Sequence, residues 1–281
     1  MRLSLLTALV MCAFAGNSIL NRLALSGTEM DALWFGVIRL GAGTVTLVAM
    51  VRLTGRRLPL WSRRRWIEAP ALALYVFGFS LAYRQLDAGT GALILFGGVQ
   101  IVMFAGAVAA RPPLRRWIGG AMAVAGLALL SGGQAGPLLG VACMTASALG
   151  WGVYSLSGRR AGDPIAVTAA NFVLAGAGSL LLVPFVVGAG APIPARGVVL
   201  AVLSGAFTSG LGYALWYTVL PRLAAEVAGL AQLTVPVIAI ASGAVLLAEL
   251  PAGRTLLACA IILGGVTLGL VPRRRVVAHA R

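Results

Sequence analysis

Long apolar runs separated by short polar loops dominate this chain. The runs are unbroken rather than alternating, which is typical of membrane-spanning helices and not of barrel strands. A helix needs about 20 apolar residues to cross the hydrocarbon core. The predicted spans are 3–22, 31–51, 67–86, 89–110, 115–132, 137–157, 165–187, 197–219, 225–247 and 254–272. The pattern therefore predicts an all-α integral membrane protein with ten transmembrane helices.

A repeat relates the two halves of the chain. Residues 78–83, GFSLAY, return as residues 212–217, GYALWY. Each half holds five predicted spans, and because five is odd, the second half must enter the membrane in the opposite orientation. We therefore predict two inverted five-helix repeats, 1–134 and 135–281, the second ending in a short basic cytoplasmic tail. Secondary transporters are often built from such repeats.

Composition and charge support a membrane protein. The chain is 60% hydrophobic and 10% charged, whereas soluble domains contain about 25% charged residues. The net charge of +15 comes from arginines in short loops, which indicates topology and not a nucleic-acid partner. With both termini in the cytoplasm, seventeen arginines lie inside and four outside. The positive-inside rule then predicts a multi-pass protein of the cytoplasmic (inner) membrane, with the lipid bilayer as its partner.

Several segments resemble a known family: residues 15–17, Arg39, 228–230, 235–237, 243–249 and 260–270. The chain is similar to ten-helix EamA-type members of the drug/metabolite transporter superfamily over nearly its whole length. The resemblance implies transport of amino acids or related metabolites. The first copy departs from the family pattern, with Gln100 near the Pro236 position and Arg111 near that of Glu249.

The titratable residues argue against catalysis and proton coupling. No predicted span holds an Asp or Glu near its middle, and the only histidine is His279 in the tail. Facilitated diffusion or exchange therefore fits better than proton coupling. No catalytic motif is present, and the three cysteines lie in apolar segments. We expect no enzymatic activity, metal or cofactor.

Arg39 is the most distinctive single residue. It lies within the second predicted span, and a guanidinium at the centre of an inserted helix costs about 2.5–3.5 kcal/mol. It should therefore face protein or a water-filled cavity. Two interpretations stay open at this point: a contact with an anionic or carboxylate substrate, or an arginine that snorkels outward or binds neighbouring backbone carbonyls.

The other candidate site residues are polar or aromatic positions on shared helix faces. Asn17 faces either a vestibule or a neighbouring helix, and Gln100 and Gln232 each need a polar partner in the membrane. Aromatic residues recur at intervals of four on the third span, and they suit either a binding surface or the aromatic belt at the membrane interface. The candidate substrate-binding residues are Asn17, Arg39, Tyr75, Phe79, Tyr83, Gln100, Trp151, Tyr154, Tyr213, Trp216 and Gln232.

The favoured function is movement of a small organic metabolite, with export as the preferred direction. The expected mechanism is alternating access between the two halves, in a monomer or homodimer. One alternative is a membrane scaffold or helper subunit without transport activity. Another is a nucleotide-sugar or lipid-linked carrier, which should show more cations facing the cavity than Arg39.

Overall fold

A computed structural model describes residues 2–106, 114–131, 138–158, 162–223 and 231–270. Within these ranges the chain is helical and contains no strand. The α-helices are α1 (Arg2–Ser26), α2 (Ala32–Leu53), α3 (Arg65–Tyr83), α4 (Ala88–Gly106), α5 (Leu114–Ser131), α6 (Leu138–Gly158), α7 (Pro164–Ser179), α8 (Val183–Gly188), α9 (Ala195–Leu203), α10 (Gly212–Val219), α11 (Thr234–Leu246) and α12 (Gly253–Leu270).

Two of the predicted spans are built from helices of different types. A 3₁₀ turn at Leu180–Leu182 joins α7 to α8, and a π-helical stretch at Ser204–Leu211 joins α9 to α10. Local signals set where helices begin. The Asp31 carboxylate accepts hydrogen bonds from the backbone of Leu33 and Trp34 and caps α2. Asp163 caps α7 in the same way, with Pro164 at its first position.

Six helices of the described chain are long and apolar enough to cross a membrane, and four shorter apolar helices accompany them. Large apolar side chains such as Val45, Phe185 and Val245 lie exposed on the outside, as expected when lipid is the solvent. The prediction of a multi-pass helical membrane protein is confirmed. The count of ten spans and the inverted repeats stay predictions, and residues 225–230 of the ninth predicted span lie outside the described ranges.

Helix packing brings the two halves of the chain together throughout the core. Helix α3 packs on α6 and α7, and α2 packs on α7 and on the π-helical stretch. Helix α1 packs on α9, α10 and α11. Helix α4 packs on α6 and α11, and α5 packs on α12. Helices from opposite halves of the sequence therefore line the centre of the molecule.

Close contact between α3 and α6 depends on glycine. A Cβ at Gly78 would lie 2.7 Å from the Cys143 carbonyl oxygen, and one at Gly150 would lie 2.6 Å from the Ala71 carbonyl oxygen. Because backbone atoms occupy both places, no side-chain movement relieves the clash. The two helices approach through small residues, as helix pairs in membranes commonly do.

A Gly150→Val variant should therefore have a lower melting temperature. Overpacking a tight contact costs about 1–3 kcal/mol. The matched control is Gly41→Val on α2, because a Cβ at Gly41 meets nothing within 4 Å. Thermal unfolding of both variants in one detergent, followed by tryptophan fluorescence, makes the comparison. Equal melting temperatures would contradict the close approach of α3 and α6.

Candidate functional site

Arg39 lies at the centre of the bundle and is fully buried. Its Nε donates to Ser209 Oγ at 2.9 Å. Its Nη2 donates to the hydroxyls of Tyr75, at 2.9 Å, and Tyr213, at 3.3 Å. The guanidinium carbon also lies 5.1 Å from the Tyr75 ring centroid and 5.2 Å from that of Phe79, within the range of cation–π attraction. Arg39 therefore does not snorkel, and its described partners are side-chain hydroxyls and ring faces.

No carboxylate of the described chain forms an ion pair with Arg39. Its Nη1 has no hydrogen-bond partner among the described residues. A buried charge is costly unless it is paired and hydrogen-bonded. Hydroxyl dipoles and aromatic faces offset only part of that cost. The arrangement is therefore suited to receiving an anionic group.

Asn17 connects α1 to two other segments beside Arg39. Its Oδ1 accepts hydrogen bonds from Ser204 Oγ at 2.7 Å and Thr208 Oγ1 at 2.9 Å. Its Nδ2 donates to the Tyr75 hydroxyl at 3.2 Å. The Tyr75 hydroxyl is therefore shared by Asn17, Arg39 and, at 2.9 Å, the hydroxyl of Tyr213. Removing this one oxygen would affect all three partners.

The π-helical stretch supplies the polar groups that face Asn17 and Arg39. Ser204, Thr208 and Ser209 all lie within it, and π-helical turns occur frequently at functional sites. Gly205 allows the stretch to approach α2, because a Cβ there would lie 2.3 Å from the Arg39 carbonyl oxygen. The backbone at this point therefore depends on glycine to bring Ser209 within reach of the guanidinium.

A small aromatic cavity adjoins this network. Its volume is about 10 Å³, enough for about one water molecule. Trp151 joins the walls, with ring centroids 4.9 Å from Tyr75 and 4.8 Å from Tyr213. The site is therefore nearly closed in this conformation. The lining residues are Phe14, Asn17, Tyr75, Phe79, Leu95, Phe96, Trp151 and Tyr213.

Two charge clusters lie at opposite ends of α3. At the Tyr83 end, Arg22 Nε donates to Glu249 Oε1 at 2.5 Å, and Nη2 lies 3.4 Å from Asp87 Oδ1. The other Glu249 oxygen accepts from the backbone nitrogen of Ala88 at 2.8 Å. We name these residues the Arg22 cluster. It ties α1 to the segments that precede α4 and α12.

The second cluster lies at the start of α3. Arg65 forms an ion pair with Glu68, and both contact Asn171 of α7: Arg65 Nη1 at 3.2 Å and Glu68 Oε2 at 3.1 Å. All three side chains are buried. We name these residues the Arg65 cluster. It ties α3 to α7, so each end of the bundle has its own set of charged contacts between the two halves.

Comparisons with known proteins identify the family. The EamA-like transporter family matches residues 138–271. A Pseudomonas aeruginosa protein named only as uncharacterized is 45% identical over 277 residues, which cover 97% of this chain and 96% of that protein. An Archaeoglobus fulgidus protein named as an uncharacterized transporter is 26% identical over 247 residues, 82% of this chain and 85% of that protein.

The chain belongs to the EamA-like transporter family. The predicted resemblance to the EamA type of the drug/metabolite transporter superfamily is therefore confirmed. A solved crystal structure also shares the fold with this EamA-type protein. The TM-score is 0.66 at 19% identity, covering 95% of this chain and 96% of the other. The family is one of membrane transporters, which is the setting in which the buried network of Arg39 has to be explained.

In this EamA-type protein the predicted site residues fall into three groups. Asn17, Tyr75, Phe79, Trp151 and Tyr213 line the cavity. Three more lie behind the lining. Arg39 contacts Tyr75 and Phe79. Tyr154 packs on Trp151, and Trp216 packs on Phe14. The other predicted residues, Tyr83, Gln100 and Gln232, are not among the lining residues.

The residues outside the cavity have different surroundings. Tyr83 donates to the Ala88 carbonyl oxygen at 3.2 Å, near the Arg22 cluster. Because Tyr83 and Tyr217 are both buried, neither belongs to an interfacial aromatic belt. Gln100 is buried on α4, and Gln232 is half-buried in the helical turn before α11. The two amides are therefore not part of the small cavity.

Several site residues were not predicted from the sequence. Phe14 packs on Tyr213 with ring centroids 5.8 Å apart, and its signal was present, since it lies three residues before Asn17 on the same helix. Ser204 and Ser209 had no such signal. Serines are common in membrane helices, and only the π-helical register turns these two toward Asn17 and Arg39.

Proposed function

We propose that this protein carries a small organic metabolite with a carboxylate group, an amino acid or a related compound, across the cytoplasmic membrane. The single observation that supports this most strongly is the buried Arg39, whose Nη1 has no described partner and whose Nη2 contacts two cavity-lining tyrosines. A substrate carboxylate supplies the missing charge and acceptor oxygens. The surrounding rings suit an apolar substrate body.

The proposed mechanism is alternating access between two inverted halves, 1–134 and 135–281. The packing pattern supports it. In the proposed repeat α1 corresponds to α6, α3 to the α9–α10 span and α4 to α11. The α3–α6 contact then corresponds to a contact of α1 with α9–α10, and the α4–α6 contact corresponds to α1–α11. Both contacts occur. Three further pairs, α2–α7, α4–α11 and α5–α12, join counterparts to each other. The start of the family match at residue 138 also lies near the proposed boundary.

The arginine distribution supports cytoplasmic termini, which places the Arg22 cluster at the outer end and the Arg65 cluster at the inner end. Each cluster then acts as a gate contact between the halves. Export is the proposed direction. Proton coupling is not part of the proposal, because Glu68 and Glu249 are held in ion pairs at the two ends. Arg22 is likewise committed to acidic partners, which disfavours a sugar-nucleotide carrier.

Counterflow in proteoliposomes tests this function. Proteoliposomes that contain the purified protein are loaded with one unlabelled compound from a panel of amino acids and other carboxylates. Uptake of the same compound in labelled form is then followed with and without a pH gradient. We expect counterflow of at least one carboxylate without a pH gradient. Absence of counterflow across the whole panel, by protein that remains folded, would favour the scaffold alternative.

A Tyr75→Phe variant should transport more weakly. It removes the oxygen shared by Asn17 and Arg39, and a hydrogen bond to a charged group contributes about 1.5–3 kcal/mol. We expect the half-saturating substrate concentration to rise about 10-fold, since 1.4 kcal/mol corresponds to a factor of ten. Tyr217→Phe is the matched control, because Tyr217 is buried but does not line the cavity. Equal effects of the two variants would refute the shared role of the Tyr75 hydroxyl.

A further inference from the structure

An apolar groove of about 570 Å³ runs along the outside of the bundle between α3 and the α7–α8 segment. It shares no lining residue with the central cavity. Its lining includes Ala69 and Ala73 of α3 and Ala175 and Gly178 of α7. These small side chains leave space that the described chain does not fill. A Cβ at Gly178 would meet nothing within 4 Å.

The groove lies where lipid would reach it. Trp66 and Leu181 of its lining are 82% and 75% exposed, and both spans that form the groove are long enough to cross a membrane. Along α3 the lining extends from Arg65 to Phe77, about 18 Å at 1.5 Å per residue. Half of a hydrocarbon core is about 15 Å thick. The groove therefore matches one acyl chain of a single leaflet.

The groove ends in a cationic segment. Trp61, Ser62 and Arg65 line that end, and the intervening Arg63 and Arg64 are exposed. The exposed Trp61 is of the type that anchors at the headgroup level. Basic pockets between helices on the cytoplasmic side are suited to anionic headgroups.

We propose that this groove binds an anionic phospholipid, with the headgroup phosphate at Arg63 and Arg64 and one acyl chain between α3 and α7. A second copy of this chain is the less favourable occupant, because a two-fold contact here would bring two arginine segments together. The bound lipid also stabilises the Arg65 cluster, since Arg65 lines the groove and contacts Glu68 and Asn171. This site is independent of the proposed substrate.

Native mass spectrometry of the full-length protein with dioleoylphosphatidylglycerol or dioleoylphosphatidylcholine tests the proposal. We expect retention of phosphatidylglycerol over phosphatidylcholine and a higher melting temperature with phosphatidylglycerol. Soluble glycerol phosphate should produce no shift, because the acyl chain contributes most of the binding. Equal retention of both lipids, or a shift with glycerol phosphate alone, would overturn the proposal.

Two variants locate the site. Arg63→Gln with Arg64→Gln should lower phosphatidylglycerol retention about 10-fold, and Gly178→Leu should lower it by filling the groove. The control variant is Arg84→Gln with Arg196→Gln, which removes two exposed charges elsewhere. Retention unchanged in both test variants, or a dimer that Gly178→Leu dissociates in the absence of lipid, would show that the groove has a different occupant.

Discussion

An Arg39→Ala variant is expected to lose carboxylate transport about 100-fold or more. The guanidinium makes two classes of contact at once, with the hydroxyls of Ser209, Tyr75 and Tyr213 and with the proposed substrate. Hydrogen bonds to a charged group contribute about 1.5–3 kcal/mol each, so losing two of them corresponds to at least a 100-fold effect. Initial rates of counterflow in proteoliposomes, normalised to inserted protein, measure the loss.

Two further variants make the Arg39 result specific. Arg39→Lys keeps the charge but loses the planar fork, so it should recover only part of the rate. Arg196→Ala removes an exposed arginine at the start of α9 and should transport within about twofold of the unmodified protein, as expected of a surface change. A folded Arg39→Ala protein with normal rates would remove Arg39 from the substrate site.

Charge reversal in the Arg22 cluster has the second largest expected effect. An Arg22→Glu variant places a third acidic group beside Glu249 and Asp87, and the side chains of Arg22 and Glu249 are only 16% and 15% exposed. Breaking a mostly buried ion pair is destabilising, so the proposed outer gate should fail to close. We expect transport to fall by about 10-fold or more, with 1.4 kcal/mol for each factor of ten.

Restoring the pair in reverse tests the cause. The double variant Arg22→Glu with Glu249→Arg re-forms the contact and should recover most of the lost transport rate. Arg56→Glu is the control, because its pair with Asp163 is more exposed, at 37% and 41%, and exposed pairs contribute about 0–1 kcal/mol. A double variant as slow as Arg22→Glu would show that this ion pair is not a gate contact.

The fold could be predicted from the sequence further than the site could. Hydropathy locates membrane helices because each needs a long apolar run, and the predicted spans beginning near residues 3, 31 and 67 correspond to α1, α2 and α3. Spacing on one helix also worked for Tyr75 and Phe79, which lie four residues apart and both line the cavity. These are local properties that one helix carries by itself.

Contacts between helices were harder to foresee. Gln100 and Gln232 were predicted to lie in the substrate site, yet neither lines the cavity. The partners of Arg39 lie 36, 170 and 174 residues away in sequence. No local pattern indicates which hydroxyls such a residue will reach. Tyr83 is buried, although the sequence also allowed an interfacial position. This burial likewise depends on contacts between helices, since α1 and the α3–α4 connection cover Tyr83.

The π-helical stretch between α9 and α10 fixes the rotational phase of everything that follows it. A π turn accommodates about one residue more than an α turn, and each residue of an α-helix turns the chain by about 100°. Ser204 and Ser209 lie five residues apart inside the stretch, a separation that π-helical i→i+5 geometry returns to one face, and they contact Asn17 and Arg39. The length of this stretch, and not only its composition, therefore has to be preserved in any related chain that keeps the same polar network.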